Sequence, residues 1–234
     1  MIDMTNKRLV LFDIDETLIY SDGAGRRAVS GAIAKLFKVP PEAAQVSMSG
    51  KTDPQILHEI LTNAGMSEAE YQERVPEFTE VYLQALEREL ESANTYKLHM
   101  GVCELINELD RHEHALLGLL TGNIERGARL KLQRFDLNKY FPVGAYGSDA
   151  MDRMALPEIA KQRGEKHYGQ SFEPGQLVII GDAENDIRCA KGFGAKSLAV
   201  NTGRTTREQL AALSPDYLFS SLVDTQAILA AIFS

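Results

Sequence analysis

Two cysteines, Cys103 and Cys189, are all that the 234 residues contain. With no CxxC spacing, they exclude a disulfide framework and a cysteine metal site. Each sits among apolar neighbours in a segment of helical period, so both are expected as buried free thiols. No run of 18 apolar residues occurs, and the opening MIDMTNKRLV has no hydrophobic stretch. The expectation is therefore a cytoplasmic protein with neither signal peptide nor membrane span. Positive charge is also short: 25 Lys and Arg stand against 33 Asp and Glu, a net charge of -8. That balance argues against nucleic acid or an anionic membrane as the main partner. It does not argue against a small anion, whose binding is decided by a local set of donors or a metal. The five histidines offer no pair at ligand spacing; His112 and His114, two apart, face different ways on a helix end. Repeats and low-complexity segments are absent. The oligomeric state is left open by the sequence.

What is present has ordinary globular proportions, 44% hydrophobic and 25% charged, at a length suited to one large domain or a core with an insert. Strand-like apolar runs lie at residues 9–12, 115–120, 143–146, 177–180, 197–200 and 217–219. Segments of helical period separate most of them, which predicts βαβ units and an α/β fold, a Rossmann-like parallel sheet flanked by helices. One interval breaks the alternation. From about Gly23 to Tyr96 only helical patterns appear. Ala28, Val29, Ile33, Leu36 and Phe37 share a face before Pro40-Pro41. Asp53-Pro54 opens a second helix, and Ser67 with Glu70 forms a capping box for a third that Pro76 is expected to kink or divide. The predicted organisation is a core over residues 1–20 and 97–234 with an all-α subdomain, 21–96, inserted after the first strand.

The chemistry-bearing residues follow the strands. The run at 9–12 leads into Asp13-Ile14-Asp15-Glu16-Thr17. In an open α/β sheet the functional crevice lies beyond the carboxyl ends of the strands. Two carboxylates two residues apart point the same way on an extended chain. Such a pair needs a cation or a division of labour to relieve its repulsion. The bland alternative is a surface turn or a helix cap. The run at 115–120 leads into Thr121-Gly122-Asn123, where a hydroxyl and free N–H groups suit an anion; the same tripeptide is also an ordinary helix N-cap. The run at 177–180 leads into Gly181-Asp182-Ala183-Glu184-Asn185-Asp186, acids again behind a buried strand. Ser49-Gly50-Lys51-Thr52 imitates the end of a phosphate-binding Walker loop, but the required first glycine is Gln45 and no strand precedes it. Asn201-Thr202-Gly203 reads as a structural turn at the edge of the site.

Phe12-Asp13-Ile14-Asp15-Glu16-Thr17-Leu18 resembles the first motif of the haloacid dehalogenase-like hydrolases, DxDx[TV]. Thr121 resembles their second motif and Gly181-Asp182 with Asp186 their fourth, GDxxxD. The resemblance covers nearly the whole chain, with its motifs in order and a helical insert in the position of the family's cap. The nearest group is the phosphoglycolate phosphatase-like one. It implies a Mg²⁺-dependent phosphatase acting on a small phosphorylated metabolite. Asp13 would be the nucleophile, Asp15 the acid and base, and Thr121 the holder of the phosphoryl group. Asp13, the backbone carbonyl of Asp15, Asp182 and Asp186 would form the metal site, Asp186 through water or by orienting the shell. Gly122 and Asn123 would bind substrate, with Lys51 reaching in from the cap; Lys51 is equally readable as an exposed lysine. The family's third motif, most often Lys-Pro, is not matched; Arg153 at a helix start and Lys161 further along both qualify. Within the family, Asp15 argues against dehalogenation. A phosphosugar mutase or phosphonate hydrolase remains an alternative, as does, in a different class, a receiver-like or non-catalytic phospho-ligand binder.

Overall fold

The computed structural model describes residues 7–40 and 45–234. Its central strand is β1 (Arg8–Phe12), whose residues Leu9, Val10, Leu11 and Phe12 have no exposed surface. A strand can be that apolar only when both faces and both edges are covered. On one edge β1 pairs in parallel with β4 (Ala115–Leu120), on the other with β6 (Leu177–Gly181). Beyond these lie β5 (Val143–Ala145), and β7 (Lys196–Val200) followed by β8 (Tyr217–Phe219). The order is β5-β4-β1-β6-β7-β8, and every pairing is parallel. These strands fall on the six apolar runs, with ends shifted by a residue in four of them.

Alternate residues of β1 serve opposite layers. Val10 and Phe12 pack with residues of α4 (Val102–Arg111), α5 (Glu125–Gln133) and α9 (Thr225–Phe233). Leu9 and Leu11 pack with residues of α6 (Leu156–Tyr168) and α7 (Glu184–Phe193). Helix α8 (Arg207–Ala212) buries Leu210 against Ala199 and Ile187 at the sheet's edge.

Between β1 and α4 the chain makes its helical excursion: α1 (Ala24–Leu36), α2 (Asp53–Asn63) and α3 (Glu68–Ser92). Thr52 accepts the Gln55 N–H to cap α2, with Pro54 in its first turn. Ser67 and Glu70 exchange the reciprocal capping bonds expected of them at the start of α3. The chain enters and leaves the excursion through a two-stranded antiparallel ribbon, β2 (Ile19–Tyr20) against β3 (Lys97–Leu98). Strands of two residues carry no periodicity, and the sequence gives no sign of them.

Two further expectations are corrected. Pro76 neither ends nor divides α3, which runs unbroken through it. Proline removes the donor for the Gln72 carbonyl, but both residues are on the exposed side, where water can serve that carbonyl. Cys103 is exposed, because α4 turns Val102, Leu105, Ile106 and Leu109 inward and leaves position 103 outside. Cys189 is buried as expected; burial pushes its thiol up to about 12. Helix α1 ends at Leu36; Pro41 of the predicted stop lies outside the described residues.

Candidate active site

The parallel strands deliver their carboxyl ends to one side of the sheet. Asp13, Thr121 and Asp182 are each the first residue beyond β1, β4 and β6. β1 is where the strand order reverses direction, the place where an α/β sheet opens a crevice. A cavity of about 350 Å³ occupies it. Asp13, Asp15, Thr121, Arg153 and Asp182 line it from below, and Lys51, Asp53 and Tyr82 from the helical excursion.

Asp13, Asp182 and Asp186 are all buried and bring carboxylate oxygens within 4.8 Å of one another. Arg153 stands beside two of them. Its Nη2 lies 3.3 Å from Asp13 Oδ1 and also donates to Asp186. The 3-10 turn at Arg153–Ala155, capped by Asp152, places it there. Its Nε has no hydrogen-bond partner among the described residues. Asp186 also accepts the Ala183 N–H at 2.9 Å, which ties the turn after β6 to the start of α7. Asp182 receives only the Thr17 hydroxyl, at 3.2 Å, and no cationic side chain of the described residues pairs with it. Burial, then the charges of Asp186 and Asp13, push its carboxyl well above the usual range. Burial likewise raises Asp13 to about 6, with Arg153 opposing and Asp186 and Asp15 adding.

Asp15 behaves differently. The chain does not stay extended past Phe12: it turns through residues 14–19, with Glu16 at a φ of 60°. The extended-chain geometry expected of this pair therefore does not hold past Phe12. Asp15 Oδ2 accepts from Lys131 Nζ at 2.6 Å and Asn123 Nδ2 at 2.8 Å, and Oδ1 from Ser21 Oγ at 3.2 Å. Burial acts to raise this carboxyl, but the Lys131 ammonium and these bonds outweigh it and hold Asp15 below the ordinary value. It lines the same cavity but is not among the three acids whose oxygens cluster within 4.8 Å.

The remaining candidates are placed as follows. Asn123 Nδ2 also donates to Thr121 Oγ1 at 2.9 Å. The Gly122 carbonyl accepts the Asp53 N–H at 2.7 Å, so the start of α2 rests on the loop after β4. Lys51 lines the cavity, but its ammonium is paired with Glu59 of α2. Lys161 is not at the cavity; it pairs with Glu165 one helical turn on, at 2.9 Å. Of the two third-motif candidates, Arg153 stands at the acids. Thr202 donates its hydroxyl to the Glu16 carbonyl, which sets the 201–203 turn against the site.

Two cavity residues escape sequence reading. Lys131 is on the buried face of α5 with Gly127, Ala128 and Leu132, its side chain 4% exposed. A lysine at an inward helical position is the signal that could have found it. Asp53 accepts the Ile124 N–H at 2.9 Å and the Tyr82 hydroxyl at 3.3 Å, so a residue of α2 caps α5. Its sequence signature is that of a first-turn acid and points only to its own helix.

The residues present fit a divalent cation. Arg153 pairs with two of the three buried carboxylates, the third pairs with no cationic side chain among the described residues, and oxygen donors are what Mg²⁺ takes.

Comparison with known proteins agrees with this architecture. Residues 10–200 match the family described as haloacid dehalogenase-like hydrolase. The chain is 27% identical over 241 residues to phosphoglycolate phosphatase of Salmonella paratyphi A, covering 94% of this chain and 92% of that protein. It is 28% identical over 144 residues to phosphoglycolate phosphatase of Synechococcus elongatus, covering 61% of this chain and 64% of that one. The crystal structure of a predicted phosphoglycolate phosphatase from Haemophilus somnus superposes with a TM-score of 0.72 at 20% identity, covering 97% of this chain and 99% of that one.

Proposed function

This chain belongs to the haloacid dehalogenase-like hydrolases, and we propose that it hydrolyses a small phosphate monoester through an aspartyl-phosphate on Asp13. The observation that carries the reading is the convergence of Asp13, Thr121 and Asp182 from three neighbouring strand ends on one cavity. Arg153 stands at Asp13 there, while Asp15 is held separately by Lys131 and Asn123.

Asp13 Oδ attacks phosphorus, the bond from phosphorus to the ester oxygen breaks, and the departing oxygen takes a proton from Asp15. Asp15 rests ionised, so the proton it passes on arrives with the substrate as the phosphate monoanion, whose second ionisation lies near pH ~6. In the second half Asp15 takes a proton from water, the water oxygen attacks phosphorus, and the bond to Asp13 breaks. Arg153 and Thr121 line the cavity and would offer their donors to the phosphoryl oxygens as charge builds on them. Asp13, Asp182 and Asp186, with the Asp15 carbonyl, would hold Mg²⁺, which when bound supplies positive charge against the phosphoryl oxygens. Asn123 and Gly122 shape the anion-binding loop, and Lys51 lines the wall above it.

Residues 21–96 act as a cap that closes over the cavity and chooses the leaving group. Their contacts with the core support this role. Thr52 Oγ1 donates to the Met151 carbonyl at 2.7 Å, and Asn185 Nδ2 donates to the Gly50 carbonyl at 2.9 Å. The family relatives named above are phosphoglycolate phosphatases, and a small carboxylate-bearing ester is the first substrate to try.

The test is phosphate release from phosphoglycolate, p-nitrophenyl phosphate, sugar phosphates and nucleotides, with Mg²⁺ and with chelator. Release that requires both Mg²⁺ and Asp13 is expected. Release that survives Asp13→Asn overturns the nucleophile, and transfer of phosphate within a sugar in place of its release makes the protein a mutase.

A further inference from the structure

We propose that Lys131 is a positioning residue for the leaving-group step, fixing at once the direction of the Asp15 carboxylate and the face that Asn123 shows to it. This rests on the phosphatase reading, in which Asp15 serves the departing oxygen.

Lys131 is an expensive residue for its place. Taking an ammonium out of water costs several kcal/mol, and a buried ion pair often adds no more stability than apolar residues of the same volume. Its neighbours on the inward face of α5 are Gly127, Ala128 and Leu132, so an apolar side chain would suit the packing. What an apolar side chain could not do is donate. Nζ lies 2.6 Å from Asp15 Oδ2 and 2.6 Å from Asn123 Oδ1. The second bond is the informative one. An amide can sit either way round in a site, and its partners decide. With Oδ1 drawn to the ammonium, the Asn123 NH₂ must face the other way, toward Asp15 Oδ2 at 2.8 Å and Thr121 Oγ1 at 2.9 Å. Rotated by half a turn, Asn123 would present its oxygen to the Asp15 carboxylate, and two acceptors would meet. One ammonium thus closes a ring of bonds with Asp15 and Asn123, and Asn123 carries it on to the Thr121 hydroxyl at the anion loop.

The helical excursion makes room for this arrangement. Gly25, at the start of α1, stands over the ammonium, and a Cβ there would lie 3.2 Å from Nζ. From below, the Tyr96 hydroxyl donates to the Lys131 carbonyl, anchoring its turn of helix. Nothing in the ring touches the acid cluster's arginine, so the two halves of the cavity are held by separate cations: Arg153 for Asp13 and Asp186, Lys131 for Asp15.

The readout that isolates the leaving-group step is the first turnover, compared between an alkyl and an activated aryl ester. Glycolate leaving from phosphoglycolate needs a proton; p-nitrophenolate leaves well without one. In Lys131→Met, single-turnover release of glycolate should fall by about 100-fold while release of p-nitrophenol stays within about threefold of the wild type. A loss of general packing would lower both alike, and that result overturns the proposal, as does unchanged or faster glycolate release. Should the Met variant fail to give a cooperative melting curve, Lys131→Gln, which keeps a donor for one of the two oxygens, is expected to show the same selective loss, and equal rates for both esters would again overturn it. Asp13→Asn run alongside separates the two levels: if neither ester shows Asp13-dependent release in the wild type, the phosphatase reading itself fails and this assignment falls with it.

Discussion

Of the three clustered acids, Asp182 has the least company. It is buried, receives one hydroxyl, and faces two other carboxylates. A carboxyl raised in this way binds its proton more tightly in the folded chain than in the unfolded one. Stability therefore falls as pH rises from the unfolded value through the folded one. For Asp13 that window runs from 3.8 to about 6, and for Asp182 it opens at the same lower end. Two outcomes follow for melting curves in chelator. The wild type should lose stability on going from pH 4 to pH 6, and Asp182→Asn should melt higher than wild type at pH 7.5, on the order of 5 °C. That gain should shrink toward pH 4, where the wild-type carboxyl carries its proton. Added Mg²⁺ should raise the wild-type midpoint and leave the variant's nearly unmoved. A wild type equally stable in chelator at both pH values would mean the acids are compensated by some other route. Sequence reading reached Asp13, Asp15, Thr121 and Asp182 because each stands within three residues of the end of a buried strand, and that relation is local. It could not reach the split between Asp13 and Asp15, which is made by the burial of Asp13 near Asp186 and by the Lys131 ammonium at Asp15, residues more than a hundred positions away.

At the scale of elements, strands proved more legible than their joints. Apolar runs of three to six residues define the sheet; the ribbon of β2 and β3 has two-residue strands, too short to show a pattern. Helix α3 shows the limit from the other side. Pro76 is a local stop signal, overruled because Tyr71, Phe78, Tyr82, Leu83, Leu86 and Leu90 bury one continuous face. The proline's penalty is still there, so Pro76→Ala should stabilise the fold by about 1–3 kcal/mol, read as a higher urea midpoint, with no change in turnover. The junction of α2 with the loop after β4 is tight for a different reason. A Cβ on Gly122 would fall 2.1 Å from the Lys51 carbonyl oxygen. Gly122→Ala should push residues 51–53 off the loop and lower kcat/KM by about tenfold or more in steady-state assays, since small misplacements near a site are costly.

Across the whole molecule, the helical excursion and the core share an apolar cluster and also meet through named backbone groups: Gly50, Asp53, Gly122 and Met151 supply a carbonyl or N–H to the other side. Contacts of this kind can be undone one at a time. Asn185→Ala removes one, on the core's side, without entering either core cluster. It should lower kcat/KM about fivefold, the worth of one hydrogen bond, and leave the urea midpoint where it was. A fall in the midpoint of wild-type size would instead mean that this bond belongs to the global fold.

The position of β1 also bears on how the chain is made. Synthesis delivers Leu9, Val10, Leu11 and Phe12 well before the strand's partner on one edge, β6, which begins only at Leu177. Until that stretch has left the ribosome, β1 has an open edge and no cover from α7. Nascent chains stalled short of residue 177 would carry that edge exposed, a ready site for association between chains or for a chaperone that holds extended apolar segments. The strand that ends at Asp13 is thus made well before the neighbour that encloses it.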